Sequence, residues 1–258
     1  MKKLFVIIPL LILGSLIVNG QNVIGVVDYM KVDNPDEYLE VENMWQKIHK
    51  ERLKQGMIVG WATYQVMFKT IEDPYNYITV SWYDAFSKLD KGIPESVIEA
   101  AFPNMRKAEW KAFEDRTNKS RKLISSGVFH QRFTCAPKDL DNSGVYIVIN
   151  EISVRPGHSK ELLKLYEEIY KPLYEEDIRN HNRTNWSFWE KWEGNMKDFQ
   201  YLSADSYTDL DQIGQPDFMK YFSIIHPDKN PDEISDQMEK LRTLVNTEMW
   251  KKIYRIVN

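Results

Sequence analysis

Cysteine is nearly absent: Cys135 is the only one in 258 residues, so no internal disulfide can staple the fold. The spacings that hold metals are missing too, with no H-x3-H, HExxH or CxxC in the chain. There is no phosphate-cradling glycine loop, dinucleotide fingerprint or nucleophile elbow, which removes the kinase, nicotinamide-dependent and hydrolase readings that depend on them. Positive charge is never concentrated. The formal charge is −4, and basic runs such as Lys119–Lys122 are short enough to be solvated helix faces. A nucleic-acid partner needs a basic stripe to meet the phosphates, so none is expected. Neither a metal nor an organic cofactor is expected. Low-complexity tracts and long linkers are lacking as well.

What is present begins with an address. Residues 1–20 show a basic start (Lys2, Lys3), an apolar run from Leu4 to Val18, and Val18 and Gly20 at the positions a signal peptidase reads before Gln21. This is the pattern of a cleavable export signal. The apolar run carries Pro9 and Gly14 and is short for a membrane span, so no stable span is expected after cleavage. No cysteine follows it to carry a lipid, and a lone Cys135 suits a bacterial envelope protein, periplasmic or secreted, better than a cross-linked secreted domain. Removal of the signal leaves 32 basic against 38 acidic residues, a mildly acidic mature chain.

The mature chain matches itself. Arg121–Phe133 (RKLISSGVFHQRF) lies on Arg242–Tyr254 (RTLVNTEMWKKIY) without a gap, 121 positions apart. Trp61 and Tyr64 fall on Trp186 and Trp189 at an offset of 125, and Tyr75, Tyr77 and Tyr83 fall on Phe199, Tyr201 and Tyr207 at 124. Offsets this steady indicate a duplicated domain, with one repeat over 21–137 and the other over 138–258.

Within each repeat the apolar period switches between two and about 3.6, the mark of alternating strands and helices. The first repeat reads as a strand over 23–32, a helix from about Asp36 to Gln55 stopped by Gly56, and strands over 58–67 and 75–83. A short helix at 94–102, a longer one over about 104–124 and a strand over 127–134 complete it. The second repeat reads as a strand over 145–154, a helix from Ser159 to about Asn180 interrupted at Pro172, and strands over 185–192 and 199–207. Helices over 218–225 and 232–246 and a strand over 248–257 follow. Each is β-α-β-β-α-β, a ferredoxin-like plait of the α+β class.

The strands VIGVVDYMKV, YNYITVSWY and VYIVINEISV carry large apolar side chains on both alternation faces. A plait with one sheet face in water should alternate cleanly. Helices cover one face, and the economical cover for the other is the second repeat, packed sheet to sheet as an intramolecular α/β barrel. The plait, its duplication and the strand-turn-helix opening ISVRPGHSKELLKLYEE resemble the dimeric α/β-barrel superfamily. That superfamily includes the antibiotic-biosynthesis monooxygenases and uncharacterised stress-responsive barrels. The resemblance implies that the usual partner subunit is already built into this chain as a pseudo-dimer.

The duplication also screens the candidate residues. None of the five histidines recurs at the equivalent place in the other repeat, which excludes a metal site made twice by symmetry. His49 is the strongest of them, one turn after Trp45 beside the core stripe of the first helix. It reads either as a general base facing a cleft or as a boundary side chain packed in the core. Asp28 and Asn150 form an equivalent pair on the first strand of each repeat, on the face of Val26 and Met30 in one and of Val148 and Ile152 in the other. A polar group recurring among apolar neighbours needs a hydrogen-bond partner or a ligand. In the haem-degrading branch of the resembled family, an asparagine on this strand acts with a tryptophan on the third strand and a histidine on the next helix. Asn150 matches the first, but its repeat has Asp205 and Ser206 where the tryptophan belongs, and His226 precedes Pro227 in a loop. The first repeat has Trp82 but carries Asp28. Neither completes the set.

Aromatic residues are the remaining signal. Trp45, Trp61, Tyr64, Tyr77 and Trp82 in one repeat, with Tyr170, Trp186, Trp189 and Tyr201 in the other, either fill the core or line a pocket for a planar or lipid-like ligand. Three functions follow. The first is an exported barrel that binds a small apolar or aromatic ligand between sheet and helices, with Asn150, Trp45, Trp61, Tyr64, Trp82, Trp186 and Trp189 as candidate contacts. The second is a cofactor-independent monooxygenase with His49 or Asp28 as proton acceptor, chemistry that asks mostly for positioning. The third is a non-catalytic structural or interaction module.

Overall fold

The computed structural model describes residues 23–70, 72–136, 144–195, 198–214 and 218–257. The export signal and the boundary between 137 and 138 lie outside the described residues. The chain runs β1 (Ile24–Lys31), α1 (Pro35–Lys54), β2 (Gly60–Val66), β3 (Tyr77–Tyr83), α2 (Glu95–Ala101), α3 (Lys107–Ser120) and β4 (Lys122–Cys135). It continues with β5 (Tyr146–Val154), α4 (Ser159–Leu165), α5 (Lys171–Arg179), β6 (Asn185–Gly194), β7 (Tyr201–Tyr207), α6 (Phe218–Ile225), α7 (Pro231–Leu241) and β8 (Arg242–Val257).

Local chemistry sets several boundaries. The Asn34 side chain accepts from the backbone N–H of Glu37 at 3.3 Å and Pro35 opens the first turn, so α1 starts there. Gly56 leaves it at φ +65°, a conformation that costs a residue with a Cβ. A π-helical stretch, Tyr166–Tyr170, joins α4 to α5, and Pro172 sits in the first turn of α5, where its missing N–H breaks the ladder least.

The eight strands form one closed antiparallel barrel in the order β1-β3-β2-β8-β5-β7-β6-β4. Each half contributes four neighbouring strands in the same relative order, with its first strand between its third and fourth. The halves therefore meet edge to edge, through β2 with β8 and β4 with β6, and closure leaves no strand edge open. This refines the expected packing of sheet on sheet: the faces turned toward each other become the lumen of a continuous barrel. The helices lie outside it.

Alternation then sorts the side chains. Val27, Tyr29, Ala62, Tyr64, Ile78, Val80, Phe129, Ile149, Leu202 and Trp250 form one cluster drawn from both halves, the lumen. On the outer face, Ile24, Ile58, Trp61 and Tyr83 form a cluster of the first half, and Ile152, Trp186, Phe188 and Tyr201 pack with α4, α5, α6 and α7 in the second. Trp61 and Trp186 both face outward, while Tyr64 and Trp189 both face the lumen.

Candidate functional site

The lumen is not filled. At the end of the barrel where β1, β2, β5 and β6 begin, it holds a cavity of about 390 Å³, within the range of small-molecule sites. Its wall is apolar and aromatic: Val27, Val80, Ile149, Leu202, Phe129, Trp82, Trp189 and Trp250. Gly25 lies between two of these rings, with space for a Cβ at 3.4 Å from Cζ3 of Trp189 and 3.8 Å from Cδ1 of Trp82. Neutral polar groups line the side formed by β6 and β7, at Asn185, Ser187 and Ser206, and the Trp189 indole N–H donates to Ser187 Oγ at 2.8 Å. Lys252 and Arg255 line the wall from β8, beside Tyr64. Burial pushes the Tyr64 phenol up to about 12, against the pull of the Arg255 charge. Exposed Ala136 and Val257 on the rim connect the cavity to solvent.

Beyond Trp250 the lumen closes on a layer of polar groups. Tyr75 Oη donates to Glu248 Oε1 at 2.7 Å, the Trp250 indole N–H donates to Glu248 Oε2 at 3.0 Å, and Lys69 Nζ lies 2.8 Å from Glu248 Oε1. Glu248 thus meets three donors. Glu151, also buried, has its carboxyl pushed up to about 7, first by burial and then by the neighbouring Glu248 charge. The fully buried Tyr29 hydroxyl has no hydrogen-bond partner among the described residues. Glu151 and Glu248 were not among the sequence candidates, yet a signal exists: Glu151 shares the alternation face of Ile147 and Ile149, where water would not otherwise reach it.

His49 is sealed. Its ring stacks on Trp61 at 4.7 Å and on Trp45 at 5.7 Å, and Nδ1 faces Arg52 Nη1 at 3.1 Å. Burial, with the Arg52 charge, lowers its pKa to about 3, so it stays neutral and out of reach of a substrate. Of the two readings of His49, these surroundings match the side chain packed in the core. Trp45 and Trp61 are packed with it, and Trp186 is buried between Tyr166 and Tyr174. None of these three lines the cavity; Tyr64, Trp82 and Trp189 do. The cavity of about 390 Å³ thus lies inside the barrel, and a smaller polar pocket lies between sheet and helix.

That pocket, about 250 Å³, is lined by Asp28, Met30, Thr79, Asn118, Arg121 and Leu123. Ser126 Oγ donates to Asp28 Oδ1 at 2.6 Å. Burial pushes the Asp28 carboxyl above the usual range, opposed by that hydrogen bond and by Arg121, which itself pairs with buried Glu42. In the second half the corresponding groups are tied into the fold. Asn150 accepts from Thr247 Oγ1 at 2.9 Å and its amide donates to Asp205 at 3.3 Å. Arg183 bridges Asp205 and Asp177, all three buried, with its guanidinium over the Tyr174 ring at 4.5 Å. Asn150 thus links β5 to β7 and β8. Arg183 escaped the sequence reading because it lies in a loop outside any periodic segment.

Among the described residues no group of three or more His, Cys, Asp or Glu side chains is placed to hold a metal ion, and no helix is long and apolar enough to cross a membrane.

No family model matches this chain, and no curated protein matches it in sequence. Solved structures do. An anthrone oxidase-like protein superposes with a TM-score of 0.51 at 9% identity, over 93% of this chain and 94% of its own. A candidate monooxygenase of Fusobacterium nucleatum gives 0.52 at 14% identity, over 92% and 94% of the two chains. Another, from Lactobacillus acidophilus, gives 0.52 at 8%, over 92% and 96%. The fold is that of the dimeric α/β barrels. Such low identities carry the fold, and chemistry must be argued from the site.

Proposed function

We propose that this chain is an exported α/β-barrel protein, built by tandem duplication, that holds a small apolar or aromatic ligand inside its barrel. The carrying observation is the aromatic cavity of about 390 Å³ in the lumen: interiors of this kind are normally packed to crystal density, and the residues that would fill this one instead leave Trp82 and Trp189 half-buried around an opening. Isothermal titration of the purified protein with naphthol tests it. Saturable single-site binding is expected. A Gly25→Val side chain would stand between the Trp82 and Trp189 rings and weaken that binding at least tenfold, roughly the worth of one or two buried methyl groups. Absence of saturable heat, or equal affinity in the variant, would overturn the reading. Export rests on residues 1–20; amino-terminal sequencing of the protein recovered from the cell envelope is expected to begin at Gln21.

A second reading, a cofactor-independent oxygenase, is favoured by the pocket at Asp28, a carboxylate whose burial makes it a stronger proton acceptor. The names of the fold neighbours suggest an anthrone as a trial substrate. Oxygen uptake on adding an anthrone, lost in Asp28→Asn, would support it; no uptake above the uncatalysed rate would sink it.

A further inference from the structure

The lumen wall carries a pair of neutral polar side chains at its open end. Asn185 is the first residue of β6 and Ser206 the last but one of β7, and the two face each other across the strands. The next pair inward is Ser187 with Ala204, and Trp189 follows on the same face of β6. All of them line the cavity. Directly paired side chains stand about 5 Å apart at Cβ, so one ligand atom can meet both Asn185 and Ser206. The Asn185 amide oxygen is buried with no hydrogen-bond partner among the described residues, a state that folded proteins seldom leave unanswered. Ser206 is tied to the fold through its backbone carbonyl, which accepts from the Thr184 N–H at 2.8 Å, and its side chain belongs to the lumen wall. Ser187 differs, because its hydroxyl oxygen is already taken by the Trp189 indole N–H.

We propose that this pair seats a hydroxyl group: the lumen ligand is a neutral hydroxylated aromatic, a phenol or aryl alcohol, that donates to the Asn185 oxygen, accepts from the Ser206 hydroxyl and lays its rings against Trp82 and Trp189. The proposal rests on the reading that the lumen binds a ligand, and adds the chemistry of the ligand's polar group. A hydroxyl donates and accepts on one atom, which is what two neighbouring partners of this kind ask for. A methyl group of the same size offers neither bond. On a purely apolar wall the methyl compound would be the better ligand, because a hydroxyl gives up its water on entering and gains nothing in return. With Asn185 and Ser206 in place the order reverses, since the hydroxyl recovers its bonds and the amide oxygen gains a donor.

Equilibrium dialysis of the full chain against naphthol and the methylnaphthalene of the same substitution separates these cases. Naphthol is expected to bind the more tightly of the two. Asn185→Leu, close in size and without the amide, should cut that preference roughly tenfold, about what a buried hydroxyl left without its partner loses, while methylnaphthalene binding stays within about twofold. Ser206→Ala should move the preference in the same direction, and carries the test alone if the melting curve shows that Asn185→Leu does not fold. Tighter binding of methylnaphthalene by the parent, or a preference unchanged in the folded variants, would overturn the proposal while leaving an apolar ligand in the lumen. Failure of both compounds to bind, or binding of both indifferent to Gly25→Val, would overturn the lumen reading itself.

Discussion

Glu151 and His49 are both buried, and burial moves their protonation in opposing directions. The folded Glu151 carboxyl has a pKa of about 7 against an ordinary 4.5, so between those values the folded state holds a proton that the unfolded chain has released. Its contribution is complete below pH 4.5 and is lost as pH rises through 7, by about 2–3 kcal/mol. His49 behaves in reverse. Its folded pKa of about 3 lies below an ordinary 6.5, so stability is complete above 6.5 and is lost as pH falls toward 3. Between 4.5 and 6.5 the two slopes offset each other. Glu151→Gln removes one of them: the variant should be more stable than the parent at pH 8 and should decline monotonically on acidification below 6.5. Urea unfolding at pH 5 and pH 8 measures this, and a variant that tracks the parent at both would refute it. The sequence singled out His49 but not this role, because a histidine at the edge of a helical stripe reads the same whether its ring meets a cleft or two tryptophans.

At the scale of elements, strand order, helix order and nearly every boundary followed from periodicity, capping and turn residues. The same departure occurs in both halves. Periodicity extends α3 to about 124 and α7 to 246, but the chain turns extended at Arg121 and Arg242 and the last strands start immediately. Leu123, Ile124, Leu244 and Val245 continue an apolar pattern that fits either structure. What decides is pairing with β1 and β5, where Lys31 meets Lys122 and Val154 meets Arg242, and this long-range information is absent from a local window. Arg183 is a second case of information carried by distance. From the loop after α5 it ties Asp177 on that helix to Asp205 on β7. Removing it leaves two carboxylates buried without their partner, which costs about 3–5 kcal/mol. Arg183→Met should therefore lower stability by that order in denaturant titration at neutral pH, whereas the exposed Arg106→Met, whose pair with Glu109 is solvated, should leave it nearly unchanged. Equal effects would refute a structural role for the triad.

At the scale of the whole molecule, the aromatics that align between the two halves lie on matching faces. Trp61 and Trp186 fall together outside the barrel, Tyr64 and Trp189 together inside it. They did not indicate which face would carry the cavity, since both faces of these strands are apolar and only closure distinguishes lumen from helix side. Closure itself depends on two seams, β2 with β8 and β4 with β6. Each half alone would present two unpaired edges, on its second and fourth strands, and an apolar lumen face open to water. Residues 21–137 and 138–258 made as separate chains should therefore yield no folded monomer. Each is expected to self-associate by its own edges, because the strand order that lets one half close on the other also lets it close on a copy of itself. Refolded together, they should give a one-to-one complex with the melting behaviour of the parent. Light scattering on the eluting species checks both outcomes, and a stable monomeric half would show that its core does not require the seams.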